Sequence, residues 1–347
     1  MQKLRSLFHV IITALLLAAC TPALHGPQSQ IALGTICHIN LYEKGTQANY
    51  DRVFARITEL ESILSANLEN SDLDRVNQNA GIEPVKVKPE LIFVLEKALE
   101  YAEKSGGLFD PSIGPLIKLW GINTDNVRVP DEDEIYQTLE LIDYHHIEIN
   151  SEEGTVFLKH PGMSLDLGAI AKGYIADEVV ILLGSMGIER GIIDLGGDIF
   201  AMGERAAGNR SAPDSESNWR IGIQDPRSSQ GEYLGVLGVA NSSVVSSGVY
   251  ERFFVAEGTH YHHIFSTETG LPADNGLLSV TVISERAIDA DALSTAAFVM
   301  GWERGSELIT SIPGAGGIFV FEDHSIRITP EIERIFSLTN NRYRLMQ

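Results

Sequence analysis

The chain has 347 residues, 44% of them hydrophobic, which is enough for a large core and, by length alone, for about two domains. Its 47 acidic residues against 26 basic ones leave a net charge of −21. That balance excludes a nucleic-acid role, because phosphate backbones are gripped by basic surfaces, and it excludes adhesion to an anionic bilayer by charge.

Lys3 and Arg5 open the chain, and residues 10–19 form an apolar run broken only by Thr13. The run is shorter than the roughly 20 apolar residues that span a bilayer. A basic start, a short apolar stretch and small residues read as a secretory signal over 1–19. It ends Leu17-Ala18-Ala19-Cys20, which resembles the bacterial lipobox, whose cysteine is lipidated and becomes the first residue. Acyl chains on Cys20 would hold the protein at a membrane. The expected place is the periplasmic side of the inner or outer membrane, and Thr21, being no aspartate, favours the outer one. Cys37 is the only other cysteine, so a lipidated Cys20 leaves it no disulfide partner, and a small buried apolar residue is its expected role.

Residues 20–30 read as a flexible tether and 31–347 as one domain of two lobes. In that domain 31–42 reads as a strand. A helix over 51–65 carries Val53, Ile57, Leu60 and Leu64 on one stripe. A second helix over 89–105 has Pro89 at its start and Gly106-Gly107 at its end. Residues 155–158 read as a short strand and 169–186 as a third helix ending near Gly187. Strands follow at 191–195, 219–223, 234–240, 252–256 and 277–283, separated by Gly, Pro, Asn and Ser turns. Residues 204–218 carry no apolar pattern and read as an exposed loop. A helix over 289–302 and a hairpin of 317–321 with 325–329 close the chain. Strands in runs with helices in separate blocks predict an α+β fold.

Three segments carry chemistry. In Leu165-Asp166-Leu167-Gly168-Ala169-Ile170-Ala171-Lys172-Gly173-Tyr174 a strand gives way to a helix. A helix N-terminus offers free N–H groups and the positive end of a dipole, which suits phosphate. Asp166 would equally serve as a cap, and Lys172, on the second turn, as a solvated charge. In Asp289-Ala290-Asp291-Ala292-Leu293-Ser294-Thr295-Ala296, positions 291 and 295 share one helical face. Their carboxylate and hydroxyl are hard oxygen ligands suited to Mg²⁺, while Asp289 is a candidate N-cap. In His262-His263-Ile264-Phe265-Ser266-Thr267-Glu268-Thr269-Gly270-Leu271-Pro272, two histidines precede a hydroxyl-rich turn. A neutral histidine beside a substrate hydroxyl is a candidate general base. Zinc has no paired cysteine or HExxH pattern behind it here. The loop Phe109-Asp110-Pro111-Ser112-Ile113-Gly114-Pro115-Leu116 and the double glycine of Ile193-Asp194-Leu195-Gly196-Gly197-Asp198-Ile199 complete the set; the glycine pair reads as a phosphate cradle or as a β-bulge.

Taken in order, FDPSIGPLIKLWG, LDLGAIAKGYIAD, DLGGDI, WRIGIQDP, HHIFSTETGLP and DADALSTA resemble the ApbE family of FAD:protein FMN transferases. The resemblance runs from Leu33-Gly34-Thr35 to Met300-Gly301. It implies T-fold-related mixed sheets with helices and an FAD cleft between two lobes. It implies transfer of FMN from FAD to a Thr or Ser hydroxyl of a target protein through a phosphoester bond, with release of AMP. It implies one Mg²⁺ on the diphosphate, held by the Asp291 carboxylate, the Thr295 hydroxyl and the Ala169 carbonyl. By the same resemblance Leu33, Asn67, Phe109, Asp110, Pro111, Asp166, Lys172, His263 and Ile264 contact FAD. His263 and Asp291 are the expected catalytic pair. The expected partners are flavin-carrying subunits of membrane redox complexes, of the NqrC and RnfG kind, with a Ser/Thr-Gly-Ala-Thr-like acceptor motif. Two positions depart from the family: Leu33 stands for Met, and Asn67 stands where many relatives have a tyrosine able to stack on flavin. Asn67 keeps two alternatives in view, an Mg²⁺-dependent FAD pyrophosphatase giving FMN and AMP, and a flavin-binding lipoprotein without activity.

Overall fold

The computed structural model describes residues 25–205, 218–229 and 231–346. Cys20, the signal segment and most of the 204–218 loop lie outside them. The described chain is α+β. Its centre is a nine-stranded sheet whose strands lie side by side in chain order. They are Gln28–Ala32 (β1), Thr35–Leu41 (β2), Gly191–Leu195 (β3), Ile199–Met202 (β4), Ser242–Gly248 (β5), Leu277–Ser284 (β6), Gly316–Phe321 (β7), Ser325–Ile328 (β8) and Arg344–Leu345 (β9). Neighbours are antiparallel except β8 and β9, which run parallel.

Period-two alternation puts a different apolar set on each face of this sheet. Val245, Val280, Val282 and Phe319 face a helical layer. Val244, Ile283, Ile318 and Val320 face a three-stranded sheet of Trp219–Gln224, Tyr233–Val239 and Phe336–Leu338. The helical layer holds four long helices: Gln47–Leu64 (α1), Pro89–Ser105 (α2), Ala171–Ser185 (α3) and Ala287–Thr310 (α4). Two-sided burial explains why β6 reads as a nearly continuous apolar run.

Several expectations are corrected. The strand expected over 31–42 is a hairpin, β1 and β2, turning at Leu33 and Gly34, both with positive φ. Leucine rarely takes that conformation, so the turn carries no usual signal. Residues Gly114–Trp120 form a short helix where a punctuated loop was expected, with a proline in the first turn, where its missing N–H costs nothing. Helix α3 begins at Ala171, so Lys172 sits in its first turn, not its second. Helix α4 runs on to Thr310 across a break at Gly301, where φ is 76°. Gly196 and Gly197 make the tight turn between β3 and β4, and the Gly197 N–H donates to Asp194 Oδ1 at 2.8 Å. Cys37 is fully buried, and burial raises its thiol to about 11, so it is an inert core residue. Among the described residues no helix is long and apolar enough to cross a membrane.

Candidate functional site

The site grows from a packing problem. From Ala287 to Ser294 every residue of α4 is buried. A helix buried on all sides must find partners for each polar group it carries. Asp289 accepts from Tyr101 Oη at 2.8 Å, with Lys97 at 3.7 Å. It is therefore no N-cap. That work falls to Asp177 of α3, which accepts the Ala287 and Ile288 N–H groups at 2.7 and 3.1 Å. Ser294 donates to the Asp291 carbonyl oxygen at 2.9 Å.

Asp291, 3% exposed, takes its partner from α3: the Gly173 N–H donates to Oδ2 at 2.9 Å. This bond has a consequence one turn back. The Ala169 carbonyl, four residues before Gly173, accepts no hydrogen bond among the described residues. Gly173 permits the approach, since a Cβ there would lie 2.3 Å from the Ala287 carbonyl oxygen and 2.8 Å from Asp291 Cβ. Thr295 lies one turn beyond Asp291, partly exposed, with its Oγ1 3.1 Å from Ser247 Oγ on β5. A carboxylate, a hydroxyl and a free carbonyl thus come from the two helix starts that meet here.

Lys172 stands beside them. Its ammonium is paired to the buried Asp198 of the β3–β4 turn. Burial works to lower the lysine's pKa, but Asp198, Asp291 and Glu251 outweigh it and hold it raised. Burial pushes the Asp291 carboxyl well above the usual carboxylate range; Lys172 opposes this and Asp198 adds to it. Asp291 Oδ1 has no hydrogen-bond partner among the described residues. A desolvated carboxylate with a free oxygen, next to a hydroxyl and an unpaired carbonyl, is a donor set that fits a hard divalent cation. No cluster of three His, Cys, Asp or Glu able to hold a metal exists among the described residues, so this seat depends on mixed oxygens.

The remaining expected contacts fall into three groups. Pro111 accepts the Asp166 N–H at 2.9 Å, which joins the Phe109-Asp110-Pro111 loop to the approach of α3. Asn77 holds the same segment, which is irregular where a strand was expected, through both backbone groups of Leu165, at 2.6 and 3.0 Å. Asp166 Oδ1 accepts the Gly168 N–H at 2.8 Å, so it shapes the turn before the helix. Asp110 is committed more fully: it accepts from Ser112 N–H at 2.7 Å, Ser112 Oγ at 2.6 Å and Tyr144 N–H at 3.0 Å. Its carboxylate builds the loop, and Phe109 is packed edge-on against Tyr101. Leu33 donates its N–H to Glu61 at 2.7 Å, while Asn67 is exposed and its N–H bonds locally to Ser65 Oγ at 3.2 Å.

The histidine loop forms the third group. His262 is saturated: Nε2 donates to the Ala273 carbonyl at 3.1 Å and Nδ1 accepts the Ile264 N–H at 3.2 Å. His263 Nδ1 donates to the Arg252 carbonyl at 3.2 Å, which leaves Nε2 with its lone pair. Burial, then Arg252, lower His263 to about 3, and Lys172 adds to the push. Thr267 Oγ1 donates to the Gly107 carbonyl at 2.8 Å and Trp120 Nε1 to the Gly270 carbonyl at 2.9 Å, which pins the loop against α2 and the Gly114–Trp120 helix. Buried Ile264 packs in the main core.

His262 makes the loop acid-sensitive. Burial lowers it to about 4 in the fold, below its unfolded value of 6.5. The unfolded chain binds the extra proton between those values, so stability is present above 6.5 and is lost as pH falls toward 4. From pH 7 to 5 the loss from this residue is expected to be about 2 kcal/mol. Denaturant unfolding of wild type and His262→Gln at both pH values checks it: the wild type should lose that much more, and equal losses would refute the assignment.

Asp198, Ser247, Glu251 and Asp177 were missed as site residues. Asp198 lies within the DLGGDI motif, whose glycines drew the attention, and Ser247 sits in a serine-rich stretch with no apolar alternation.

Comparison with known proteins gives the family. Residues 33–319 match the ApbE family. The chain is 40% identical over 314 residues to the FAD:protein FMN transferase of Treponema pallidum (strain Nichols), covering 88% of this chain and 87% of the relative. It is 34% identical over 318 residues to the FAD:protein FMN transferase of Klebsiella pneumoniae (strain 342), covering 92% and 96%. Among solved structures, an ApbE protein from Thermotoga maritima superposes with a TM-score of 0.78 at 30% identity, over 89% of this chain and 98% of that one. The flavin transferase ApbE from Vibrio cholerae gives 0.76 at 26% identity, over 89% and 98%. The family match spans the helix starts that meet at Gly173 and Asp291, and this chain belongs to the ApbE family.

Proposed function

We propose that this enzyme is an FAD:protein FMN transferase that uses Mg²⁺ and joins the FMN phosphate to a Thr or Ser hydroxyl of a target protein. The observation that carries the reading is the Gly173–Asp291 bond, which joins the start of α3, where the Ala169 carbonyl is unbonded among the described residues, to the stretch of α4 that bears Asp291 and Thr295, with Lys172 in the first turn of α3. The acceptor oxygen attacks the phosphorus of the FMN half. The bond to the bridging oxygen breaks, AMP leaves, and the hydroxyl proton passes to a base. Bound at the oxygen donors, Mg²⁺ would neutralise charge on the diphosphate.

The chain's own residues do the rest. Asp198 holds the Lys172 ammonium in one place, so its charge is preorganised rather than drawn from solvent. At the start of α3 the Ala171 and Gly173 N–H groups are taken by Leu167 and Asp291, and among the described residues that of Lys172 is left for an anion. His263 carries its proton on Nδ1, so Nε2 is the atom that would accept the hydroxyl proton. Its low basicity stems partly from Arg252 and Lys172, and a diphosphate beside those cations would offset their effect. Cys20 lipidation would place this chemistry on the periplasmic side of a membrane, beside the flavin-carrying subunits of redox complexes.

One observation favours a second reading. Asn67 is exposed, and no aromatic ring stands at that position to stack on flavin. A loosely held flavin admits water, which would make the protein an FAD pyrophosphatase. Incubation with FAD, Mg²⁺ and a peptide bearing a Ser/Thr-Gly-Ala-Thr motif separates the readings by mass. A flavin adduct on the peptide is the expected result. Free FMN and AMP without adduct would establish hydrolysis, and intact FAD would leave only a binding protein.

A further inference from the structure

We propose that Ser247 is a positioning residue: through a chain of three hydroxyls it turns the Thr295 lone pairs toward the cation seat. The proposal rests on the Mg²⁺ reading given above. A hydroxyl has one proton to give and two lone pairs to receive with. Ser294 Oγ gives its proton to the Asp291 carbonyl oxygen, 2.9 Å away, which can only accept. Its 2.8 Å contact with Ser247 Oγ must then be filled by the Ser247 proton. With that proton used, the 3.1 Å contact between Ser247 and Thr295 must be filled by the proton of Thr295. The Thr295 proton therefore points back into the fold, and its lone pairs remain for a cation.

Burial keeps this order fixed. Ser294 is fully buried and Ser247 is 8% exposed, so water does not replace either partner. The chain of bonds starts on the backbone of Asp291, whose carboxylate lines the same seat, so the two side-chain donors are oriented together. Without Ser247 the Thr295 hydroxyl would rotate and present its proton to the cation for part of the time. Alternation along β5 supplies an internal control. Ser246 makes a similar 2.8 Å hydroxyl contact, with Thr281, and neither residue joins the chain to Thr295.

The test is Mn²⁺ binding to the full chain without FAD, read from the free-ion EPR signal. Outer partners of metal ligands typically contribute roughly 10- to 100-fold in affinity. Ser247→Ala should weaken Mn²⁺ binding by about that factor, Ser247→Thr should recover most of it, and Ser246→Ala should bind like wild type. Ser294→Ala releases the Ser247 proton and should weaken binding by a smaller factor. Wild-type affinity in Ser247→Ala, alongside lost binding in Asp291→Asn, would overturn the proposal and leave the metal seat standing. Wild-type affinity in Asp291→Asn would instead remove the Mg²⁺ reading itself. If Ser247→Ala fails to fold by circular dichroism, Ser294→Ala decides, and unchanged affinity there overturns the proposal.

Discussion

Asp291→Asn is expected to lower the rate of flavin transfer by about 10³-fold or more while leaving the protein folded, a loss on the scale of removing a preorganised charge from a transition state. The substitution is chosen because it keeps an oxygen for the Gly173 N–H and removes only the charge. Burial holds the Asp291 carboxyl well above its ordinary range, so at neutral pH the ionised form is a cost to the metal-free fold. A folded-state value above the unfolded one means that this cost grows as pH rises through that interval. Without metal, the variant should therefore be at least as stable as wild type. With metal the order should reverse: added Mg²⁺ raises the wild-type melting temperature by mass action and leaves the variant unmoved. Transfer rates and melting curves with and without Mg²⁺ check both halves. Equal Mg²⁺ shifts in the two proteins would show that the cation sits elsewhere.

Gly173→Ala is the second large effect. The added Cβ would stand 2.3 Å from the Ala287 carbonyl oxygen, 2.6 Å from its carbon and 2.8 Å from Asp291 Cβ. Two of these atoms are backbone, and Ala287 is held by its bond to Asp177. The helices must therefore separate. Overpacking of this kind costs about 1–3 kcal/mol. The activity loss should be larger, about 10²-fold, because a shift near 1 Å moves the Ala169 carbonyl away from Asp291 and Thr295. Gly184 lies on the same helix, and a Cβ there meets nothing within 4 Å. Gly184→Ala should stabilise by about 0.5–1 kcal/mol and leave activity intact. Denaturant melts and transfer rates on the pair test the point; similar behaviour of both variants would remove the close approach as the cause.

Much of this was legible in the residues because it depends on local physics. Helix α2 was bounded by Pro89 and by Gly106, whose positive φ closes it. The helix read over 289–302 was found through its motif, though not its run on to Thr310, and Asp291 and Thr295 through their four-residue spacing. What escaped depends on contacts between distant segments. Nothing local announces that Asp177 caps a helix 110 residues away, or that Lys172 pairs with Asp198 across a turn. Strand β5 escaped because its serines look polar, although one of them faces the helical layer and serves there. The hairpin at Leu33 escaped because a leucine occupies a conformation usually left to glycine.

Helices α3 and α4 exchange bonds in both directions: a carboxylate of each receives backbone N–H from the other. Rotation or sliding of either partner breaks both ends of that clasp together, so the geometry has no soft intermediate position. The joined segments are 118 residues apart in the chain, and the stretch between them includes the 204–218 loop. That stretch carries Asp198 and Ser247, so slippage of the clasp would also move the partners of Lys172 and Thr295.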